Sequence, residues 1–329
     1  MLVTGGAGYI GSHAVLALLD AGAEVSVLDD LSTGQRWAVD PAAHFTQGNA
    51  GDAALVDTLL AARKIDAILH FAGSVVVPES VADPLKYYRN NTVNACTLLA
   101  CAVRAGVPHF IFSSTAAVYG VPAQPRVTEA TPTNPINPYG ASKRMTEIML
   151  ADVAAAHPLC YAALRYFNVA GADCQGRSGQ STPNATHLIK VACEAALGKR
   201  AGLAIFGTDY PTRDGTGVRD YIHVGDLVDA HVATLAHLID HPGDNLVMNL
   251  GYGHGFSVRE VLAMVEKVAG VALKVEEAPR RAGDPAELVA DIAHLRRTLG
   301  WTPRHDDLHT IIATALEWER RLARRGDSI

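Results

Sequence analysis

The feature that most constrains the fold of this sequence is a glycine-rich turn near its start. Gly5, Gly8 and Gly11 follow a short apolar run at 2–4, and a helical pattern of apolar residues begins at Ile10. Glycines at this spacing allow a tight turn, the close approach of a ligand to the backbone, and close packing of a helix on a strand. The first N–H groups of a helix are unpaired and attract phosphate. A strand, this turn and a helix in that order therefore predict a pyrophosphate site.

Short β-branched runs and longer helical patterns alternate through the first half of the chain, which is typical of a parallel sheet built from βαβ units. The predicted strands are 2–4, 25–29, 44–46, 67–71, 110–114 and 161–167, and the predicted helices are 10–21, 53–62, 84–105 and 139–156. A later helix is predicted at 185–197, and later strands at 203–206 and 247–250. We expect the strand at 247–250 to return to the first sheet.

The predicted fold is an α/β protein with a Rossmann-type doubly wound parallel sheet and a smaller, discontinuous α/β substrate domain. The composition changes near Gly171, after which Gly, Ser, Asp, Asn and Pro become frequent. We expect a dinucleotide-binding domain over residues 1–170, with a returning segment at about 219–255. Residues 171–218 and 256–329 then form the substrate domain.

Composition excludes several other classes of protein. The 329 residues carry 28 Lys and Arg against 34 Asp and Glu, a net charge of −6, so the sequence has no basic domain that would bind nucleic acid. It has no apolar run of the ~20 residues that cross a bilayer, so no membrane partner is expected. The five cysteines are odd in number and lack zinc spacing. We interpret them as core residues of a cytoplasmic protein without a metal site.

Asp29 stands at the end of the second predicted strand, downstream of Gly11. A carboxylate at this place accepts hydrogen bonds from the ribose hydroxyls of adenosine and repels a 2′-phosphate. The residue therefore predicts NAD as the cofactor rather than NADP. A solvated turn residue in the pair Asp29 and Asp30 is the alternative interpretation.

Tyr139 and Lys143 lie on the same face of a predicted helix, because they are four residues apart. A neighbouring ammonium group favours the phenolate of a tyrosine. A phenolate can remove the proton of a hydroxyl group while a hydride leaves the same carbon. The pair alone occurs by chance in many helices. It gains meaning from the dinucleotide turn upstream and from residues 113–115, which end a predicted strand, where ligands bind in open α/β sheets.

Six segments resemble the extended short-chain dehydrogenase/reductase family, namely residues 3–11, 30–34, 70–73, 113–120, 139–143 and 165–168. Three later segments, at 203–207, 209–224 and 279–284, are similar to the UDP-hexose 4-epimerases of that family. The resemblance covers nearly the whole chain. It implies an NAD-dependent enzyme that interconverts UDP-galactose and UDP-glucose through a 4-keto intermediate, and it implies a homodimer.

The resemblance also implies roles for individual residues. Tyr139 is the catalytic base, Lys143 anchors the nicotinamide ribose, and Thr115 relays the proton. The implied NAD contacts are Gly5, Gly8, Tyr9, Ile10, Gly11, Asp29, Asn49, Phe71, Ala72, Gly73, Asn90, Ser113, Lys143 and Tyr166. The implied contacts to the nucleotide sugar are Thr115, Tyr139, Asn168, His187, Ala204, Phe206, Arg219, Arg281, Asp284 and Leu288. Two forked guanidinium groups suit a diphosphate, which agrees with Arg219 and Arg281; surface salt bridging is their alternative role.

Four positions bear on how closely the chain follows the family. Val75 stands where some members carry a lysine that contacts a cofactor phosphate, and Asn49 stands where an acid commonly contacts adenine. His187 aligns where many members have asparagine. Leu288 aligns with a position beside the 2-substituent of the sugar, where aromatic residues tend to exclude N-acetyl sugars and small residues tend to admit them. A core residue of a buried strand is the other interpretation of Leu288.

Three alternative functions share much of this pattern. A sugar-nucleotide 4,6-dehydratase usually has an Asp-Glu pair directly after the threonine, whereas this chain has Ala116 and Ala117, which cannot move a proton. A 4-epimerase of another UDP-sugar (a pentose, a uronic acid or an N-acetylhexosamine) is not excluded by the sequence. A non-catalytic dinucleotide sensor often loses the tyrosine or the lysine, and both are present here.

Overall fold

The structure is a computed structural model that describes residues 1–183, 185–281 and 283–326. The last three residues of the predicted substrate domain, 327–329, lie outside the described residues. The strands are β1 (Leu2–Thr4), β2 (Ser26–Asp29), β3 (His44–Gln47), β4 (Ala67–His70), β5 (His109–Thr115), β6 (Arg126–Val127), β7 (Cys160–Tyr166), β8 (Asn168–Ala170), β9 (Leu203–Phe206), β10 (Val218–Arg219), β11 (Tyr221–His223), β12 (Leu246–Leu250), β13 (Phe256–Ser257), β14 (Val275–Ala278) and β15 (Glu287–Ala290).

The α-helices complete the chain. They are α1 (Tyr9–Asp20), α2 (Ala53–Ala62), α3 (Val77–Ala82), α4 (Pro84–Tyr87), α5 (Asn94–Ala105), α6 (Pro138–Ala156), α7 (Leu188–Ala196), α8 (Val224–Asp240), α9 (Val258–Ala269), α10 (Ala293–Leu299) and α11 (Leu308–Gly326). Short 3₁₀ turns occur at Arg36–Ala38 and Ala116–Tyr119, and a π-helical turn occurs at Tyr88–Val93.

The central sheet confirms the predicted Rossmann-type fold. Among the described residues it has seven parallel strands in the order β12-β7-β5-β4-β1-β2-β3. The chain runs outwards from β1 in one direction through β2 and β3, and then in the other direction from β4. A reversal of this kind opens a crevice at the carboxyl ends of the strands, and ligands bind there in such sheets. The predicted return of residues 247–250 is also confirmed, because β12 forms one edge.

The core is divided between the two faces of this sheet. Ile68 and Phe110 pack on one face with side chains of α2, α5 and α6, while Leu69 and Ile111 pack on the other with side chains of α1 and α8. Successive side chains of a strand point to opposite faces, so strands covered on both faces are apolar throughout. This explains why the strands were visible in the sequence as continuous apolar runs.

Smaller sheets lie outside the central one. In the described chain, β13, β10, β15 and β6 form a second sheet, in which Arg219 of β10 is opposite Leu288 of β15. Two further pairs are β11 with β8 and β14 with β9. These strands are two to four residues long. Their partners are far apart in the chain, so sequence pattern alone did not predict most of them.

Two expectations about local structure were wrong. The helix predicted over 84–105 is not continuous, because the π-helical turn Tyr88–Val93 separates α4 from α5. The wider turn lets the side chain of Asn91 donate to the hydroxyl of Ser142 on α6, at 3.0 Å. The cysteines are not all core residues either, because Cys96 and Cys174 are exposed. In the ranges that the structure describes, no helix is long and apolar enough to cross a membrane.

Candidate active site

The glycine-rich turn joins β1 to α1 at the crevice. Gly5 has a φ of 72° and its N–H donates to the carbonyl of Leu28 at 2.8 Å. A Cβ on Gly5 would come within 2.6 Å of the backbone N of Ala72, and one on Gly11 within 2.0 Å of the carbonyl oxygen of Gly5. Both glycines are therefore required by the turn itself. Gly8 is the N-cap of α1 and provides no side-chain cap, which leaves N–H groups at the helix start for an anion.

Tyr9 and Ile10 are the first two residues of α1, and both are half-buried. The phenol of Tyr9 donates to the carbonyl of Gly171 at 2.7 Å. This hydrogen bond connects the start of α1 to the segment that follows β8.

Asp29 ends β2 and holds the same turn. Its carboxylate accepts from the N–H of Ala7 at 2.9 Å and from that of Leu31 at 2.8 Å, and burial raises its pKa. Leu31 has a φ of 60°, which is uncommon for a residue other than glycine. Two carboxylate oxygens have about four acceptor positions, so the group can still accept from a ribose. Asn49 is exposed, and its side chain donates to Asp30 at 3.3 Å.

A second turn follows β4 and faces the first. Phe71 donates its N–H to the carbonyl of Thr4 at 3.0 Å, and Ala72 packs against Gly5. Gly73 has a φ of 155°, and a Cβ there would lie 2.8 Å from Oδ1 of Asn91 and 3.8 Å from Nζ of Lys143. The backbone at Gly73 thus lies beside the ammonium group.

The π-helical turn supplies two asparagines to this second turn. Asn91 accepts from the N–H of Ser74 at 2.7 Å and donates to its carbonyl at 3.0 Å, so it fixes the conformation of the turn. Asn90, which the sequence predicted as a cofactor contact, donates to the hydroxyl of Ser74 at 3.1 Å. Asn91 was not predicted. The available sequence signal was the pair of adjacent asparagines, Asn90 and Asn91, in an otherwise amphipathic helical pattern.

Lys143, Ser113 and Tyr166 meet at the ends of β5 and β7. Nζ of Lys143 donates to the carbonyl of Ser113 at 2.8 Å, and the phenol of Tyr166 donates to the hydroxyl of Ser113. Lys143 is 2% exposed and lies over the ring of Phe112. Burial lowers the pKa of Lys143 to about 8, so the group is cationic at neutral pH but only by a small margin.

Tyr139 and Thr115 are brought together by the start of α6 and the end of β5. Pro138 begins the helix, and the N-cap Asn137 accepts from the N–H of Gly140 at 2.8 Å, which fixes Tyr139 in the first turn. Burial raises the pKa of Tyr139, and the nearby hydroxyl of Thr115 acts against that rise. Thr115 also accepts from the N–H of Ala117 at 3.1 Å.

The residues predicted for the nucleotide sugar lie on several elements. Asn168 begins β8, and its N–H donates to the carbonyl of Asp220 at 3.0 Å. Arg219 donates to the carbonyl of Val218 at 2.8 Å and is opposite Leu288 in the second sheet. Leu288 is 8% exposed and belongs to a buried cluster with Ala116, directly after Thr115. The second sheet therefore extends to the end of β5.

A separate group lies on β9 and the loop before β15. Phe206 ends β9 and is 38% exposed, and the guanidinium of Arg281 lies 3.8 Å from the centre of its ring. Ala204 is two residues earlier on the same strand and so points to the same side. Asp284 is exposed, and its N–H donates to the carbonyl of Arg281 at 3.3 Å.

The loop that carries Arg281 is also close to the start of α6. A Cβ on Gly283 would lie 2.7 Å from the side chain of Ile136, three residues before Tyr139. His187 is the N-cap of α7, and its Nδ1 is paired with the amide of Gln180 at 2.8 Å. Within the described residues, the side chain of His187 makes no hydrogen bond with another predicted site residue.

Sequence reasoning missed a buried carboxylate next to Arg219. Asp220 accepts from the N–H groups of Tyr252 and Gly253, both at 2.9 Å, and from that of Ala290 at 3.3 Å. Burial raises its pKa to about 6. The carboxylate joins β10, β12 and β15 at one point. The available sequence signal was the position of Asp220 directly after Arg219, within the family-like segment 209–224.

A buried histidine behind the site was missed as well. The ring centre of His231 on α8 lies 5.1 Å from that of Phe71 and 5.8 Å from that of Tyr166. Its Nδ1 is paired with the carbonyl of Leu227 at 2.8 Å, and burial lowers its pKa to about 4. The imidazole is therefore neutral at physiological pH and supports two rings predicted to contact the cofactor.

Comparison with known proteins agrees with this architecture. Residues 1–251 match the model of the NAD dependent epimerase/dehydratase family. A protein of Azospirillum brasilense named UDP-glucose 4-epimerase is 58% identical over 322 residues, which cover 98% of this chain and 92% of that protein.

Two solved structures are similar over nearly their whole length. The Brucella ovis UDP-glucose 4-epimerase in complex with NAD is 45% identical, with a TM-score of 0.93 and coverage of 96% of this chain and 97% of that one. The Bifidobacterium longum UDP-glucose 4-epimerase in complex with NAD⁺ and UDP is 38% identical, with a TM-score of 0.93 and coverage of 97% and 98%. The predicted family and the predicted use of NAD are confirmed. The chain belongs to the NAD dependent epimerase/dehydratase family.

Proposed function

We propose that this chain is an NAD-dependent 4-epimerase that interconverts UDP-galactose and UDP-glucose. The observation that carries the proposal is the contact between α6 and the end of β5. Lys143, one helical turn after Tyr139, donates to the carbonyl of Ser113 at 2.8 Å, two residues before Thr115. A phenol, a hydroxyl relay and a cation are the groups needed to take the proton of a secondary alcohol. The relatives named UDP-glucose 4-epimerase support the choice of substrate.

The residues around the crevice fit NAD. Gly5 and Gly11 leave no room for a Cβ in the turn, Gly8 leaves the start of α1 open, and Asp29 has acceptor positions to spare. We assign the pyrophosphate to the glycine-rich turn, the adenosine ribose to Asp29 and the adenine to Asn49. The remaining proposed contacts are Tyr9, Ile10, Phe71, Ala72, Gly73, Asn90, Ser113, Lys143 and Tyr166. When bound, NAD supplies the hydride acceptor and a positive nicotinamide charge.

In the proposed mechanism Tyr139 takes the proton of the 4-hydroxyl group, directly or through Thr115. Burial raises the pKa of the phenol, so the free protein disfavours the phenolate. In the proposed mechanism the positive charges of Lys143, one helical turn away, and of the bound nicotinamide favour the phenolate. After the 4-keto sugar has turned in the site, the same phenol returns the proton to O4, and the hydride returns to the other face of C4.

The UDP part of the substrate is assigned to groups whose chemistry suits it. Arg219 and Arg281 suit the diphosphate, and the exposed ring of Phe206 suits the face of a pyrimidine, with Ala204 on the same strand. Arg281 now covers the Phe206 ring, so both groups are within reach of one ligand. Asn168, His187, Asp284 and Leu288 complete the proposed substrate contacts.

Individual residues distinguish the proposed function from the alternative functions. Ala116 and Ala117 follow Thr115 and provide no acid or base for the elimination of water, which disfavours a 4,6-dehydratase. The retained Tyr139 and Lys143 disfavour a non-catalytic sensor. A 4-epimerase of another UDP-sugar has the same machinery, and the pocket beside Leu288 is where such a preference would arise.

We further propose a cytoplasmic homodimer that forms through α6 and the π-helical turn before α5. Val93 of that turn is 56% exposed, and Met145 and Ile148 of α6 are 42% and 45% exposed. Exposed apolar surface of this kind is typical of an interface. The division of the chain into an NAD-binding domain (1–170 with 219–255) and a substrate domain (171–218 and 256–329) stays part of the proposal.

The test is epimerisation by the purified protein without added cofactor. Because the reaction has no net redox change, bound NAD should suffice, and NMR should detect UDP-glucose formed from UDP-galactose. A panel with UDP-N-acetylgalactosamine, a UDP-pentose and a UDP-uronic acid identifies the preferred sugar. Conversion of none of these by protein that contains NAD would reject the proposed function.

A further inference from the structure

Glu147 is a buried acid on the same face of α6 as the proposed catalytic pair. It follows Lys143 by one turn and Tyr139 by two, and its side chain is 1% exposed. Side chains four residues apart on a helix are neighbours on its surface. A carboxylate in such a place needs partners, because a buried charge without them is costly.

The partners of Glu147 come from the two strands that form the site. One carboxylate oxygen accepts from the hydroxyl of Ser114 at 2.5 Å and from Nε of Arg165 at 2.8 Å, and the other accepts from Nη2 of Arg165 at 2.6 Å. Ser114 lies between Ser113 and Thr115 on β5, and Arg165 is next to Tyr166 on β7. One carboxylate therefore joins α6 to both strands, directly beside residues proposed to contact the ligands.

Further hydrogen bonds of Arg165 lead to the second sheet, which carries Leu288. Nη1 of Arg165 donates to the phenol of Tyr119 at 3.1 Å, which donates to Oδ1 of Asn249 at 2.7 Å. Nδ2 of Asn249 donates to the carbonyl of Val127 at 2.9 Å. Val127 is on β6, and β6 pairs with β15, the strand of Leu288. Hydrogen bonds thus run from α6 to the second sheet.

We propose that Glu147 and Arg165 are positioning residues that set the register of α6 against β5 and so hold Tyr139 at Thr115. The inference rests on the proposed function, since it gives the pair a role in that reaction. Stability alone does not explain a buried ion pair, because replacement of such a pair by apolar residues is often neutral or stabilising. Position does explain it, because a shift of about 1 Å at a reacting group can lower a rate about 100-fold.

The first experiment compares single and double variants of the pair. We expect Glu147→Gln to lower kcat for UDP-galactose about 10- to 100-fold, while KM changes less than about threefold and NAD content is unchanged. The single variant leaves Arg165 buried without its counter-charge and can fail to fold. The double variant Glu147→Leu/Arg165→Met removes both charges, and we expect it to fold with a similarly low kcat.

The second measurement does not depend on turnover. Ultraviolet difference titration of each protein against its Tyr139→Phe counterpart follows the phenol of Tyr139 in the NAD-bound state. The ionisable groups that surround it are Lys143 on its own helix, Tyr166 on β7 and Tyr87 on α4. Loss of the pair should move the Tyr139 titration to higher pH, because the phenol lies less well against its polar partners. A purely structural role would not move it.

Arg144 provides a matched control. It is the neighbour of Lys143 and touches the same Glu147 carboxylate at 3.3 Å, but its side chain is 35% exposed. Arg144→Gln should keep the wild-type kcat and the wild-type titration. A double variant that folds with wild-type kcat and titration would overturn the inference. If the wild-type protein itself does not epimerise, the proposed function fails, and the titration of Tyr139 still decides on the positioning role.

Discussion

The ammonium group of Lys143 donates its hydrogen bond to the backbone of Ser113, not to a carboxylate. The side chain is 2% exposed, and its charge lies over the ring of Phe112. A carbonyl oxygen and an aromatic face replace only part of the hydration that an ammonium group has in water. This is the physical reason why burial lowers the pKa of Lys143 to about 8.

The first prediction follows from this lysine and concerns stability. Its pKa is lowered from 10.5 to about 8 in the folded state, so between these values the unfolded chain holds a proton that the folded chain lacks. The contribution of Lys143 to the free energy of unfolding therefore rises with pH from about 8 towards 10, by about 3 kcal/mol at most, and the cost of its buried charge is fully present below pH 8.

Thermal unfolding of the protein stripped of NAD, measured between pH 7 and pH 10, tests this. Lys143→Met should lack the rise and should unfold at a higher temperature than the wild type at pH 7, although it is inactive. Lys64, whose side chain is 92% exposed, is the control, and Lys64→Met should follow the wild-type profile. Parallel profiles for wild type and Lys143→Met would contradict the prediction.

The second prediction is that Tyr139→Phe keeps the fold and bound NAD but loses most turnover. The phenol is the base proposed for the 4-hydroxyl group, and a positioned acid–base group contributes about 10²- to 10⁴-fold to a rate. Thr115→Val should be impaired less, because a water molecule can relay the proton. Steady-state rates with UDP-galactose check both variants. A near-wild-type rate for Tyr139→Phe would remove this residue from the mechanism.

The third prediction concerns the hydrogen atoms of the sugar. The phenol of Tyr139 exchanges its proton with solvent, but Ala116 and Ala117 provide no base to take a proton from carbon. Because the hydride that leaves C4 returns to C4 within one complex, substrate deuterated at C4 should keep its label in the product. Since no base takes a proton from carbon, reaction in D₂O should introduce no deuterium at any carbon. NMR and mass spectrometry of the isolated sugar measure both. Solvent deuterium at C6 would point to the dehydratase instead.

Local features of the site could be predicted from the sequence. The turn at Gly5–Gly11, the acid Asp29 and the pair Tyr139 and Lys143 each depend on a few neighbouring residues, because a tight turn or one helical face is defined within a short segment. Most strands of the central sheet were also predictable, since burial on both faces makes them rich in apolar residues. The edge strand β3 is partly exposed.

Features that depend on distant partners could not be predicted. The role of Asn91 depends on a π-helical turn and on Ser142, which lies 51 residues away. The burial of Glu147 could not be predicted, because acids on a helix are usually solvated. Its partner Arg165 is on β7 and not on the same helix. Strands of two residues have no periodicity of their own and exist only because other strands lie beside them. The strand of Arg219, β10, pairs with both β13 and β15.

The last prediction concerns substrate range and rests on Leu288. The side chain is 8% exposed and packs in a cluster with Ala116, Val127 and Phe167, immediately beyond Thr115. Leu288 is therefore a core residue whose cluster includes the residue that follows Thr115. That it also lies beside the 2-substituent of the sugar stays a prediction. We expect strong preference for UDP-hexoses without a 2-substituent and weak activity on UDP-N-acetylgalactosamine.

Leu288→Ser should raise kcat/KM for UDP-N-acetylgalactosamine while changing that for UDP-galactose little. A hydrophobic pocket discriminates one methylene by only about 1–3 kcal/mol, so rejection of an acetamido group must come from steric overlap, which the smaller side chain relieves. The neighbouring Val289 is the matched control, because it is also buried and alternate residues of a strand point to opposite faces. Both Leu288→Ser and Val289→Ala leave a cavity that lowers stability. Val289→Ala should do so without a change in the ratio of kcat/KM for the two substrates. Equal ratios for wild type and folded Leu288→Ser would reject Leu288 as the residue that limits substrate size.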